Sequence, residues 1–213
     1  TTLNCKNVAF NGITSMPSGT YQCTLYPTTY IFDGCTFNGN VYSYQNFNVD
    51  MTIKNCTFNA PAATQYAFMS QGAGGTITLK DNIFNNYTRG INLQRATAEF
   101  VVTGNTIKSN CSEPDRAAIQ ITDGKSFVVN DNKVDVNAGN AFWFHNAATN
   151  SDVTYTINNN DIKAPYIGYS GVSAFDVNTK ITSSGNTFNN TDTTKCMKKE
   201  QTVAESTNLT AIQ

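Results

Sequence analysis

The sequence predicts an all-β solenoid of about eight stacked coils whose strands pair in parallel from one coil to the next. Three observations predict it: a composition that disfavours helices, a motif that recurs roughly every 25 residues, and asparagine at one position of that motif in five consecutive copies. At 213 residues the chain has the size of one domain. Asn, Thr, Gly and Ser abound, and Asn, Thr and Gly rank low in helix propensity. Thr, Tyr, Phe, Ile and Val suit a pleated surface, while Asn and Gly suit tight turns.

The motif reads apolar, any, apolar, any, Asp/Asn/Gly, Asn or Cys, any, apolar. It appears at Tyr30 to Phe37, Met51 to Phe58, Ile77 to Phe84, Phe100 to Ile107, Phe127 to Val134, Tyr155 to Ile162 and Ile181 to Phe188. Leu3 to Phe10 is a weaker first copy. The sixth position is Val8, Cys35, Cys56, Asn82, Asn105, Asn132, Asn160 and Asn186. A second strand lies between consecutive copies: Val41 to Tyr44, Ala67 to Ser70, Gly90 to Leu93, Ala118 to Ile121, Ala141 to Phe144 and Ala174 to Val177. Alternation turns Phe68, Ile91, Ile119, Phe142 and Phe175 inward, and Met69, Asn92, Gln120, Trp143 and Asp176 outward. Each coil then holds at least two strands, and loops such as 110–116 and 147–152 absorb differences in length.

A propeller blade needs roughly 40 residues and four strands, too many for this period. A leucine-rich repeat needs a leucine density that the chain lacks. In a stacked β-coil each strand pairs with its equivalent one coil away, and stacking supplies the core that one coil cannot. Eight coils at about 4.8 Å make a rod roughly 40 Å long.

The asparagine column is the strongest sign of stacking. A buried amide is costly unless its hydrogen bonds are met, and stacked amides meet one another's. The expected internal ladder is Cys35, Cys56, Asn82, Asn105, Asn132, Asn160 and Asn186, with the cysteines as small, weakly polar extensions. The six cysteines (with Cys5, Cys23, Cys111 and Cys196) lack CxxC or Cys/His spacing, which argues against a zinc site. Cys35 and Cys56 fall close enough for a disulfide, but stacked side chains suit its dihedral poorly, so reduced core thiols are expected.

These repeats resemble the right-handed parallel β-helix superfamily, the pectate-lyase-like fold, from Leu3 to about Phe188. The resemblance implies the fold and leaves activity open, because that superfamily spans polysaccharide lyases, glycoside hydrolases, phage tailspikes and non-catalytic bacterial surface proteins. Its polygalacturonase-like hydrolases resemble one another in an Asp trio containing an Asp-Asp pair beside Gly-His-Gly. Here there is no Asp-Asp pair, and the single histidine lies in Phe144-His145-Asn146. Its pectate lyases use acidic calcium ligands and an arginine base. The arginines here are Arg89, Arg95 and Arg116, with no acidic cluster opposite them in the repeat register. Asp123 and Asp176, two coils apart, are the remaining carboxylates that could flank a glycosidic bond, but ordinary turn aspartates account for them better. No catalytic residue, metal or cofactor is therefore assigned.

The candidate ligand site is the outward side of the second strand. Trp143, the only tryptophan, has His145 beside it, Gln120 and Asn92 in the preceding coils, and Asp176 and Asn178 in the following one. An exposed indole among amides and a carboxylate stacks a sugar ring and bonds its hydroxyls. The competing reading has a loop, 147–152 or 165–171, folded over the indole. The outward column Thr36, Thr57, Ile83, Thr106, Lys133, Asp161 and Thr187 partly resembles an ice-binding threonine array, but Lys133 and Asp161 interrupt it, leaving solvated threonines. Asn-x-Ser/Thr triplets at Asn55, Asn86, Asn110, Asn189 and Asn208 arise by chance in such a composition.

Net charge −1 with 14% charged residues gives no footprint for nucleic acid or an anionic membrane, and no segment nears the ~18 apolar residues of a membrane span. The expected partition is a parallel β-helix over 1–190 and a last coil or cap over 191–213. The opening Thr1-Thr2-Leu3-Asn4 reads as part of a longer precursor. The expectation is thus a non-catalytic, secreted or cell-surface module for adhesion or carbohydrate binding, monomeric, with polysaccharide or host-surface glycan as partner. A divergent polysaccharide lyase or glycoside hydrolase, and a phage tailspike fragment, are the alternatives.

Overall fold

The computed structural model describes residues 1–12, 14–16, 27–43, 49–60, 66–70, 74–94, 97–110, 116–144, 153–170, 177, 179–197, 206–207, 209 and 211–212. They form three sheets running the length of a column. The first sheet stacks Thr2–Lys6, Thr29–Asp33, Asp50–Lys54, Gly75–Lys80, Ala98–Thr103, Ser126–Asn130, Thr154–Asn158 and Ile181–Ser184. The second stacks Ala9–Asn11, Thr36–Asn38, Thr57–Asn59, Ile83–Tyr87, Thr106–Ser109, Lys133–Val136, Asp161–Lys163 and Thr187–Asn189. The third stacks Thr14–Met16, Val41–Ser43, Phe68–Ser70, Ile91–Gln94, Ala117–Asp123, Asn140–Phe144, Tyr166–Ser170 and Asp192–Met197. Every pairing between these coils is parallel, and Ser206–Thr207 then pairs antiparallel with Asp192–Met197. The chain is an all-β parallel solenoid, as the repeat predicts.

Each coil carries three strands because the eight-residue motif is not one strand and a turn but the end of one strand and the start of the next. Its fifth residue makes the corner. Asn7, Gly34, Asn55, Asp81, Gly104, Asp131, Asn159 and Gly185 all adopt left-handed backbone, with φ between 54° and 69°. That conformation costs most side chains about 1–2 kcal/mol and is tolerated by Gly, Asn and Asp. The Asp/Asn/Gly restriction in the motif is the imprint of this corner.

The corner turns the sixth residue inward, where it forms the ladder. The Asn132 carboxamide uses its full capacity. Its Oδ1 accepts from the Asn105 backbone N–H and Nδ2, each at 3.0 Å, and its Nδ2 donates to Val102 O at 2.9 Å and Asn160 Oδ1 at 3.0 Å. Asn105 and Asn160 repeat the pattern, donating to Leu79 O and Val129 O and to the Oδ1 of Asn132 and Asn186. Each amide thus ties three consecutive coils. Cys56 continues the column: its N–H donates to Asn82 Oδ1 at 2.9 Å, its thiol donates to Lys54 O at 3.0 Å, and its sulfur accepts from Cys35 N–H at 3.3 Å. Cys5, Cys35 and Cys56 are free thiols; Cys23 and Cys111 lie outside the described residues.

Apolar columns fill the remaining interior. Phe10, Phe37, Phe58 and Phe84 stack at centroid spacings of 5.0, 4.8 and 4.4 Å, close to the strand spacing that generates them. Phe100, Phe127 and Tyr155 stack at 5.2 and 5.4 Å. Phe68, Ile91, Ile119 and Phe142 line the third sheet's inner side, as alternation predicts.

One strand differs from expectation. The third-sheet strand of the seventh coil is Tyr166–Ser170, in register with Asn140 to Phe144, not Ala174 to Val177. Gly168 takes the inward position opposite Phe142, and Leu209 from the C-terminal segment fills the space: a Cβ on Gly168 would collide with the Leu209 side chain. An inward glycine erased the apolar signal of the true strand. Leu209 and Ile212 are both buried in the common core.

Replacing Asn132 by Ala strands a buried N–H, an amide and a carbonyl on its neighbours. It is expected to cost about 3 kcal/mol or more in urea unfolding, against under about 1 kcal/mol for Asn85→Ala on the outer surface. Equal costs would deny the ladder its role.

Candidate functional site

Two outward faces are candidates, and the structure treats them differently. On the third sheet, Met69, Asn92, Gln120 and Trp143 occupy one column in register, as expected. Met69 is half-buried, and the other three are closed to solvent. Asn92, Gln120 and Trp143 are only 4%, 7% and 8% exposed. Their polar atoms form a chain: Tyr66 Oη donates to Gln120 Oε1 at 2.8 Å, Gln120 Nε2 donates to Thr122 Oγ1 at 3.1 Å, and Thr122 Oγ1 donates to Asn92 Oδ1 at 3.0 Å. The Arg116 guanidinium lies 5.3 Å over the Trp143 ring, and Arg89 lies 5.6 Å over Tyr66. Trp143 packs against Ala117. The indole is buried and not the exposed platform of the first reading; residues 147–152, named for the cover, lie outside the described residues.

His145, Asp176 and Asn178 lie outside the described residues. The position following Trp143 in the column is Tyr169, not Asp176, because of the displaced strand. Asp123 ends its strand opposite Gln94 after a register shift, so its half-buried carboxylate stands apart from the second-sheet groove described next.

The second sheet presents two open columns. The first is Thr36, Thr57, Ile83, Thr106, Lys133, Asp161 and Thr187, aligned as the repeat predicts. The second, two residues on, is Asn11, Asn38, Asn59, Asn85, Lys108, Asp135, Lys163 and Asn189. Its first four members form another amide ladder, with Nδ2 of Asn38, Asn59 and Asn85 donating to the preceding Oδ1 at 2.9, 3.0 and 3.1 Å. Sequence reasoning missed this column. Its signal was the recurring Thr-Phe-Asn at 36–38, 57–59 and 187–189.

The charged half of this face is concave. Two adjoining depressions of about 360 and 250 Å³ share Asp135 and Lys163. Lys133, Asp161 and Asn189 line one, and Asn137, Pro165 and Asn190 line the other. Lys163 Nζ lies 3.5 Å from Asp135 Oδ1. Asp161 Oδ1 accepts from Asn189 Nδ2 at 2.7 Å and Thr187 Oγ1 at 3.3 Å. These contacts position the groove's polar atoms while contributing at most about 1 kcal/mol each at this exposure. Among the described residues, no three His, Cys, Asp or Glu side chains converge as metal ligands.

Three parallel sheets, an interior amide ladder and polar outer columns define a parallel β-helix. A family model described as "Right handed beta helix region" matches residues 3–162, and the chain belongs to that family. Neither the curated proteins nor the solved structures give a match.

Two outcomes follow from the burial. Trp143 should emit at short wavelength and resist iodide quenching in the folded protein; a solvent-like, readily quenched emission would mean an open face. Burial, foremost, pushes the Cys56 thiol up to about 11 from 9.0. A raised thiol pKa stabilises the fold below about pH 9, and that contribution fades as pH climbs towards 11. Peptide mapping after iodoacetamide at pH 8 should therefore find Cys56 unmodified in the native protein and alkylated in urea. Native alkylation at the same rate as in urea would contradict its buried, protonated state.

Proposed function

We propose that this chain is a non-catalytic β-helix module of a secreted or cell-surface protein that binds carbohydrate, or a glycan-coated surface, on the outer face of its second sheet. The observation that carries this reading is the groove around Asp135 and Lys163, a concave stretch of a polar face. Its amides and charges lie one strand spacing apart, about 4.8 Å, which suits an extended polymer lying along the column. Such groups bond sugar hydroxyls, and the rigid sheet fixes them before the ligand arrives, so little ordering entropy is lost on binding. In this reading the ligand lies on a different face from the Trp143 column, where Asn92, Gln120 and Trp143 are buried.

A glycan array combined with reducing-sugar and unsaturated-product assays tests the proposal. Retention of at least one glycan without turnover is expected, weakened about tenfold by Lys163→Ala with Asn189→Ala. Binding indifferent to both substitutions would remove the groove as the site. Turnover abolished by Asp161→Asn would make the protein a hydrolase or lyase, with Asp135 and Asp161 as the carboxylates nearest the bond.

A further inference from the structure

We propose that the groove selects a zwitterionic glycan, one whose repeat alternates an ammonium with a carboxylate; this rests on the reading above that the second sheet's outer face holds carbohydrate. The inference comes from the order of charges in the two outer columns. In one, successive coils present Thr106, Lys133, Asp161 and Thr187. In the other they present Lys108, Asp135, Lys163 and Asn189. The sign runs plus, minus over Lys133 and Asp161 in one column and plus, minus, plus over Lys108, Asp135 and Lys163 in the other, with neutral residues beyond, so the sixth and seventh coils each show one charge of each sign side by side.

A polyanion laid along the column gains at each lysine and loses at the intervening aspartate, and a polycation does the reverse. A chain whose own charges alternate at one coil spacing meets an opposite charge at each charged coil, three in the longer column. Its full repeat would be two coils, roughly 10 Å, about the length of a disaccharide. Opposite-charge neighbours across strands also stabilise sheets, and that alone could generate alternation. The contacts argue for more. Only Asp135 and Lys163 close to an ion pair, at 3.5 Å. Lys133 stands beside Asp161 in register, and Lys108 beside Asp135, yet among the described residues neither lysine reaches ion-pair distance of those carboxylates. Both lysines are exposed, so their ammonium groups remain open to a ligand. The depressions lie over the charged coils, and the neutral amide ladder occupies the other end of the same face.

Titration calorimetry at low ionic strength tests this with three size-matched probes: N-deacetylated heparosan oligosaccharides (alternating ammonium and carboxylate), the parent N-acetylated chain (carboxylates only) and chitosan oligosaccharides (ammonium only). The zwitterionic probe should bind about tenfold tighter than either other probe. That preference should vanish in Lys133→Ala with Asp161→Asn and weaken as salt shortens the screening length below the column's dimensions. Equal affinity for all three, tighter binding of a single-sign probe, or no binding of any probe overturns the charge inference. The broader reading survives those outcomes if neutral glycans on the array still bind through Lys163 and Asn189, and falls with it if none does. Circular dichroism of the variants, all at exposed or half-buried surface positions, separates lost binding from lost fold.

Discussion

A carboxamide sealed from water must find four hydrogen-bond partners inside the protein, and in this molecule it finds them only when three coils lie in register. That requirement governs the rest of the structure. Asn132 reaches back to Val102 and forward to Asn160 while receiving two bonds from Asn105. A slip of one residue in any strand would leave several of these groups unpaired, each at about 1–3 kcal/mol. The apolar columns contribute more total energy but are less exacting, because a phenyl ring accepts neighbours at many offsets. Hydrophobic burial holds the column together, and the ladder sets its register.

Register is also what gives the surface its order. Once equivalent residues stack, whatever the sequence places two positions apart on an outward strand becomes two rows of side chains at one strand spacing. Asn38, Asn59 and Asn85 repeat the ladder chemistry outside the barrel, where water competes and the bonds contribute little to stability. In the later coils the same rows carry lysine and aspartate. The outer face is thus a direct transcript of the repeat, and its side-chain chemistry differs from coil to coil while the interior repeats.

The period and the ladder were legible because two constraints fall on adjacent residues. The left-handed corner limits one position to Gly, Asn or Asp, and the buried column limits the next to Asn or Cys. The seventh coil's third strand was illegible because Gly168 stands where an apolar side chain was expected, and the residue that replaces it, Leu209, lies far along the chain. For Trp143 the sequence left two readings, because alternation tells which side of a sheet a residue takes, not what lies over that side. Half of the second-sheet groove was legible, since the repeat already aligned Lys133 with Asp161; the column of Asp135 and Lys163 beside it was not, because its residues are ordinary surface types that only strand pairing gathers.

The ladder itself is most directly measured by hydrogen exchange of asparagine side-chain amides, followed by NMR on protein labelled with ¹⁵N at asparagine. The Nδ2 protons of Asn82, Asn105, Asn132 and Asn160 should exchange only through global unfolding, with the same denaturant dependence as the core backbone, while those of Asn38 and Asn59 exchange rapidly. Interior amides that exchange as fast as the surface ones would contradict the claim that they set the register.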